Sequence, residues 1–164
     1  MKVILGADHG GFELKAKLKG FLVEKGIEVE DIGPHEFDKD DDYPDFGKKV
    51  AEIVSKEGSE IGQKNVMGML ICRSAGGVII TANKFRGIRA VAVFDETQAR
   101  HAREHNDANV IGLSGDWTDE ETAKKLVSIA LETPYSNEER HTRRLQKIAG
   151  MEGHRCQCRH GHSE

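Results

Sequence analysis

No stretch of this 164-residue sequence approaches the roughly 18 consecutive apolar residues that a helix needs to cross a bilayer, so a helical membrane protein is excluded. The opening residues, Met1 to Leu5, enter a strand pattern at once. They lack the apolar length and small-residue cleavage site of a secretory leader, and a cytoplasmic location is expected. Cysteine is scarce and odd in number. Cys72 stands alone in an apolar run, and Cys156 and Cys158 lie near the end, which argues against a disulfide framework. Positive charge is not in excess. The 24 Lys and Arg are outnumbered by 28 Asp and Glu, giving a formal net charge of -4, a poor basis for nucleic-acid binding.

What is present is an ordinary globular composition, 37% hydrophobic and 32% charged, in a chain long enough for one domain with a real core. Short apolar runs alternate with amphipathic stretches. Val3-Ile4-Leu5 reads as a strand, followed by a glycine-rich loop, Gly6 to Gly11. Leu14, Leu18, Phe21 and Leu22 recur at helical spacing, and Gly26 suits the helix stop. A second strand is predicted from Ile27. The charge run Asp38 to Asp42 reads as a solvated loop, and a second helix carries Phe46, Val50, Ile53 and Val54 on one face.

Val66 to Cys72 is apolar on both faces, the pattern of a central parallel strand covered on both sides. Ser74 to Lys84 reads as a loop and a helix, Ile88 to Phe94 as a strand, Asp95 to Glu104 as a helix and Val110 to Gly112 as a fifth strand. Thr118 with Glu121 has capping-box spacing before another helix, which Pro134 ends; a last helix spans about 137–149. The alternation predicts a single-domain, doubly wound α/β fold over residues 1–149. Its five-stranded parallel sheet has helices on both faces, and a polar, disordered tail follows over 150–164. The tail's His154, Cys156, Cys158, His160 and His162 are metal-ligand types, but their spacing matches no standard zinc site, and no metal is assigned to them.

In such sheets ligands bind beyond the carboxyl ends of the strands. Asp8 and His9 follow the first strand; Cys72, Arg73, Ser74, Ala75, Gly76 and Gly77 end the third and lead into a helix; His105-Asn106-Asp107 closes the fourth helix. Taken singly, each has a bland reading: a turn, a small buried thiol, a helix end favoured by the dipole. Together they offer a thiolate favoured by a helix N-terminus and an arginine, free backbone N–H groups for an oxyanion, and an imidazole to move protons.

Five segments carry a resemblance. They are Gly6 to Phe12, Asp42-Tyr43-Pro44-Asp45-Phe46, Met69-Leu70-Ile71-Cys72, Ala82 to Ala90, and His105-Asn106-Asp107-Ala108-Asn109-Val110. In order and spacing the chain resembles the type B ribose-5-phosphate isomerases, a family that includes the galactose-6-phosphate isomerase subunits. The resemblance implies an aldose–ketose isomerase without metal or organic cofactor, working through a cis-enediolate. It implies Cys72 as the proton-abstracting base, His105 as the ring-opening residue and Asn106 as a contact beside it. Asp8, His9 and Tyr43 would line the sugar pocket, with Ser74 and the backbone of Gly76 and Gly77 at the enediolate. Arg140 and Arg144 would hold the phosphate. It also implies a homodimer, or a dimer of dimers, whose sites are shared between subunits.

Two departures stand out. Arg73 and Ala75 occupy positions where the family has glycine, and Asp116 stands where an arginine is frequent. Arg73 is expected to replace part of the charge lost at position 116. The alternatives are an isomerase of another sugar (allose 6-phosphate, galactose 6-phosphate or a free sugar) and a non-catalytic sugar-phosphate-binding homologue.

Overall fold

The computed structural model describes residues 1–152; the histidine- and cysteine-containing tail lies outside the described residues. In chain order the elements are β1 (Lys2–Ala7), α1 (Phe12–Glu24), β2 (Glu28–Asp31), α2 (Tyr43–Glu57), β3 (Val66–Cys72), α3 (Gly76–Ala82), β4 (Ala90–Ala92), α4 (Glu96–Glu104), β5 (Val110–Ser114), α5 (Glu120–Glu132) and α6 (Glu139–Met151). The five strands form one sheet in the order β2-β1-β3-β5-β4, and every neighbouring pair is parallel.

Strand alternation divides the core into two layers. Val3, Leu5, Met67, Met69 and Ile71 pack with α1, α4 and α5 through Leu18, Leu22, Ala99, Leu126 and Val127. Ile4, Leu70 and Cys72 point the other way, against Val50 and Val54 of α2 and Val78 and Ala82 of α3. β3 is buried along its whole length, as its two-sided apolar pattern predicts. The order of strand addition reverses between β1 and β3, since α1 leads from β1 outward to β2 while β3 begins the other half. The crevice between their carboxyl ends is the topological switch point.

Several boundaries differ from the sequence reading; β5, for one, continues past Gly112 to Ser114. β4 is only three residues long. The Arg89 N–H donates to the Asn109 side chain before the strand; after it the Val93 N–H still bonds the Gly112 carbonyl, and the Phe94 N–H turns to the Gln98 side chain. α5 is capped by Asp119, not Thr118. Asp119 accepts from the Thr122 N–H and hydroxyl at 3.0 and 2.8 Å. α6 runs on to Met151.

Candidate active site

The carboxyl ends of β1 and β3 hold most of the predicted site. Asp8 follows β1 and is 4% exposed; its Oδ1 accepts from the Gly11 N–H at 3.2 Å. Burial pushes its carboxyl above the usual carboxylate range, against the pull of the neighbouring His9. His9 is anchored twice by Asp41: its backbone N–H donates to Oδ1 at 2.9 Å and Nδ1 lies 2.7 Å from the same oxygen. That hydrogen bond raises the imidazole pKa. Asp41 is therefore not part of a merely solvated charge run. Its side chain is 9% exposed and fixes a site residue.

Cys72 ends β3, 5% exposed, and forms no disulfide among the described residues. The chain then turns through Arg73 and Ser74, both exposed, into Ala75, whose φ of 64° is left-handed. A glycine would adopt this conformation without strain; alanine pays a steric cost for it. The backbone thus keeps the conformation that the family's glycine would favour, despite the Cβ. Gly76 and Gly77 open α3, and their N–H groups lie in the first turn, where no intrahelical acceptor exists. Gly77 leaves room for the ring of Tyr43, from which a Cβ there would sit 2.7 Å. The tyrosine, 42% exposed, therefore lies against the turn that follows Cys72.

Arg73 does not stand free to receive a ligand. Its Nε donates to Asp116 Oδ2 at 3.1 Å. The two departures from the family pattern are partners, and the expected transfer of charge from position 116 to position 73 is largely spent within the pair. Gly10 leaves room for the Arg73 side chain, because a Cβ there would collide with its Cγ. The Asp116 N–H and the Ser114 hydroxyl both donate to the Arg73 carbonyl, at 3.2 and 2.5 Å.

His105, Asn106, Arg140 and Arg144 lie elsewhere. α4 runs back from the carboxyl end, so its C-terminus lies at the amino end of the sheet, before β5 begins. There the Ser136 N–H donates to the Glu104 carbonyl, Lys64 Nζ to the Glu132 carbonyl, and His105 stacks on His141 of α6 at 4.5 Å and 8°. Within one chain the length of β3, roughly 20 Å at 3.3 Å per residue, separates this group from Cys72. Arg140 is exposed and donates from Nε to Glu138 at 2.7 Å; Arg144 is exposed. His141, a residue that sequence reasoning missed, is buried, and burial lowers its pKa, helped by Arg140 and His105.

Asp107 explains why the His105 segment is ordered. It is fully buried, accepts from Arg89 at 2.9 Å, from Arg103 at 3.0 Å and from the Gly62 N–H at 2.7 Å, and adopts a φ of 43°. Asn109 ties the same corner to Gly58, Gly87 and Arg89. In His105 to Val110, then, the first two residues are exposed enough to act, while Asp107 and Asn109 hold the turn.

The family model described as Ribose/Galactose Isomerase matches residues 3–148. The chain belongs to this family. Its relatives in the ribose/galactose isomerase family include ribose-5-phosphate isomerase B of Escherichia coli, 38% identical over 94% of this chain and 98% of that protein. The probable ribose-5-phosphate isomerase B of Mycoplasma genitalium is 37% identical over 92% of this chain and 95% of its own length. The crystal structure of the Mycoplasma genitalium enzyme with bound ribulose-5-phosphate superposes with a TM-score of 0.86 at 36% identity, covering 92% of this chain and 95% of that one. The Clostridium thermocellum ribose-5-phosphate isomerase B superposes at 0.84 with 40% identity, over 93% and 97%. The fold of this family member is thus the doubly wound sheet read from its sequence.

Proposed function

We propose that this chain is an aldose–ketose isomerase that interconverts ribose 5-phosphate and ribulose 5-phosphate. One observation carries the reading: the fold, with Asp8 and Cys72 at the carboxyl ends of the adjacent strands β1 and β3, matches a relative solved with bound ribulose-5-phosphate. No helix among the described residues is long and apolar enough to cross a membrane.

In this reading His105, assisted by Asp8, moves the proton that opens the sugar ring. Cys72 as thiolate removes the proton from C2 of the open aldose. The C2–H electron pair becomes the C1–C2 double bond, and negative charge gathers on O1. Ser74 and the N–H groups of Gly76 and Gly77 face that charge. A proton passes from O2 to O1, and return of the Cys72 proton to C1 leaves the carbonyl at C2. Arg140 and Arg144 bind the phosphate, with His9, Tyr43 and Asn106 along the sugar. Because Cys72 and His105 sit at opposite ends of one chain's sheet, a complete site combines the carboxyl end of one copy with the amino end of another, as a homodimer or dimer of dimers. The chemistry needs no metal or organic cofactor.

The Arg73–Asp116 pair favours a second reading at the level of substrate. An acid beside the site weakens its attraction for a phosphate, so a free sugar is the alternative that this pair favours. Ketose formation and solvent-deuterium incorporation, measured over aldose 5- and 6-phosphates and free aldoses, test both. Ribose 5-phosphate giving the highest kcat/KM supports the first; a free sugar exceeding it replaces the first by the second.

A further inference from the structure

At the amino end of the sheet three imidazoles form a column. His101 stacks on His105 at 4.4 Å and 26°, and His105 on His141 at 4.5 Å and 8°. His101 and His105 are four residues apart, so they share one face of the last turn of α4. Glu104 reaches the same place, its Oε2 3.9 Å from His105 Nε2. Ligand atoms of His101, Glu104 and His105 all lie within 4.8 Å of one another. Behind them His141 is buried, and its Nε2 has no hydrogen-bond partner among the described residues. Two imidazoles and a carboxylate are a recurrent donor set for borderline transition metals, and coordination needs ligand distances of about 2.0–2.2 Å. His101 is exposed, and Glu104 and His105 are half-buried, so rotation about side-chain bonds brings three donors to one ion without moving the helix.

We propose that His101, Glu104 and His105 form a chelating site for a divalent transition metal, and that its occupancy inhibits the enzyme. The inhibition rests on the proposed role of His105. A lone pair given to a metal is unavailable for a proton, so the bound ion removes the ring-opening step. His101 is not needed for that step. It supplies the second imidazole that turns a weak single contact into a chelate, and a second donor held at the right distance raises affinity by about 10²-fold or more in favourable cases.

Ni²⁺ is the better probe, because it prefers imidazole, whereas zinc is also drawn to thiolates such as Cys72 and the cysteines of the tail. The full-length chain and its His101→Gln variant are compared by equilibrium dialysis against Ni²⁺ and by isomerase rate at buffered free Ni²⁺, each normalised to its own metal-free rate. The tail is common to both proteins, so the difference between them reports the α4 site. The wild type is expected to bind one more Ni²⁺ per chain than the variant. The Ni²⁺ concentration for half-inhibition should rise at least about tenfold in the variant, and a chelator should restore the wild-type rate. Glu104→Gln should shift it in the same direction. Equal binding and equal inhibition in wild type and His101→Gln overturn the site; Ni²⁺ binding that depends on His101 without inhibition overturns the claim that occupancy blocks the enzyme. If no sugar phosphate is isomerised, the functional reading fails separately, and the dialysis difference alone decides whether the chelate exists.

Discussion

Arg73 Nε, just past β3, lies 3.1 Å from Asp116 Oδ2, just past β5, at the carboxyl end of the sheet. Both side chains are well exposed, at 67% and 39%, so the pair adds little to stability, within about 1 kcal/mol. Its consequence lies in binding. Asp116→Asn should free the Arg73 guanidinium and lower KM for ribose 5-phosphate, while Arg73→Gln should leave Asp116 uncompensated and raise it, each severalfold with kcat nearly unchanged. Steady-state kinetics of both variants and the double variant check this. Identical KM values in all four proteins would place the pair outside the field felt by the substrate.

The His9–Asp41 contact has a pH signature. The hydrogen bond to Asp41 raises the His9 pKa above the ordinary value of about 6.5. A group whose folded pKa is raised stabilises the native state fully below its unfolded pKa, and that stabilisation is lost as pH rises through the folded value. Asp41→Asn should move the His9 titration, followed by imidazole NMR, back toward about 6.5. The stability gap between wild type and variant should be largest below the unfolded pKa of about 6.5 and narrow as pH rises above it. A gap that widens with pH would contradict the assignment.

Asp107 makes a prediction about stability. It sits fully buried between Arg89 and Arg103, whose side chains are 10% and 2% exposed. Asp107→Asn keeps the shape, and asparagine tolerates the left-handed backbone. The change leaves two buried guanidinium groups without their anion, at a cost of about 3–5 kcal/mol. Urea denaturation measures it. The His105 segment is held by the same residue, so activity should fall together with the stability of that corner.

Much of this was legible in the sequence because the relevant signals are local. The two-sided apolar run from Val66 to Cys72 gave β3 residue for residue. Gly26, with its φ of 72°, stops α1 as its composition suggests. Asp8, His9, Tyr43 and Cys72 fall together because strand ends converge in a parallel sheet, a consequence of topology that alternation alone implies. What was not legible depends on contacts between distant segments. Asp41 is one of four aspartates in a charged stretch, and only the fold selects it as the partner of His9, 32 residues away. The Arg73–Asp116 pair spans 43 residues; the sequence suggests that one charge compensates for the other, and only the fold shows that the two side chains bond to each other. His141 looks like one more polar residue of an exposed helix until its ring is seen against His105. Thr118 has the spacing of a cap, but Asp119, one residue later, has the geometry.

The central claim, a cysteine base and a distant histidine joined in one site by two copies of the chain, has a direct test. Cys72→Ala and His105→Ala are each expected to lower kcat by at least about 10²-fold, the scale of a lost acid–base group. The two inactive proteins are then mixed in equal amounts, dissociated and allowed to reassociate. Random pairing puts half of the chains into mixed dimers, each with one site that keeps both residues, so about a quarter of wild-type activity should return. Mixing that restores no activity, while size and composition show that mixed dimers have formed, would contradict a shared site; high activity in Cys72→Ala alone would contradict the cysteine base.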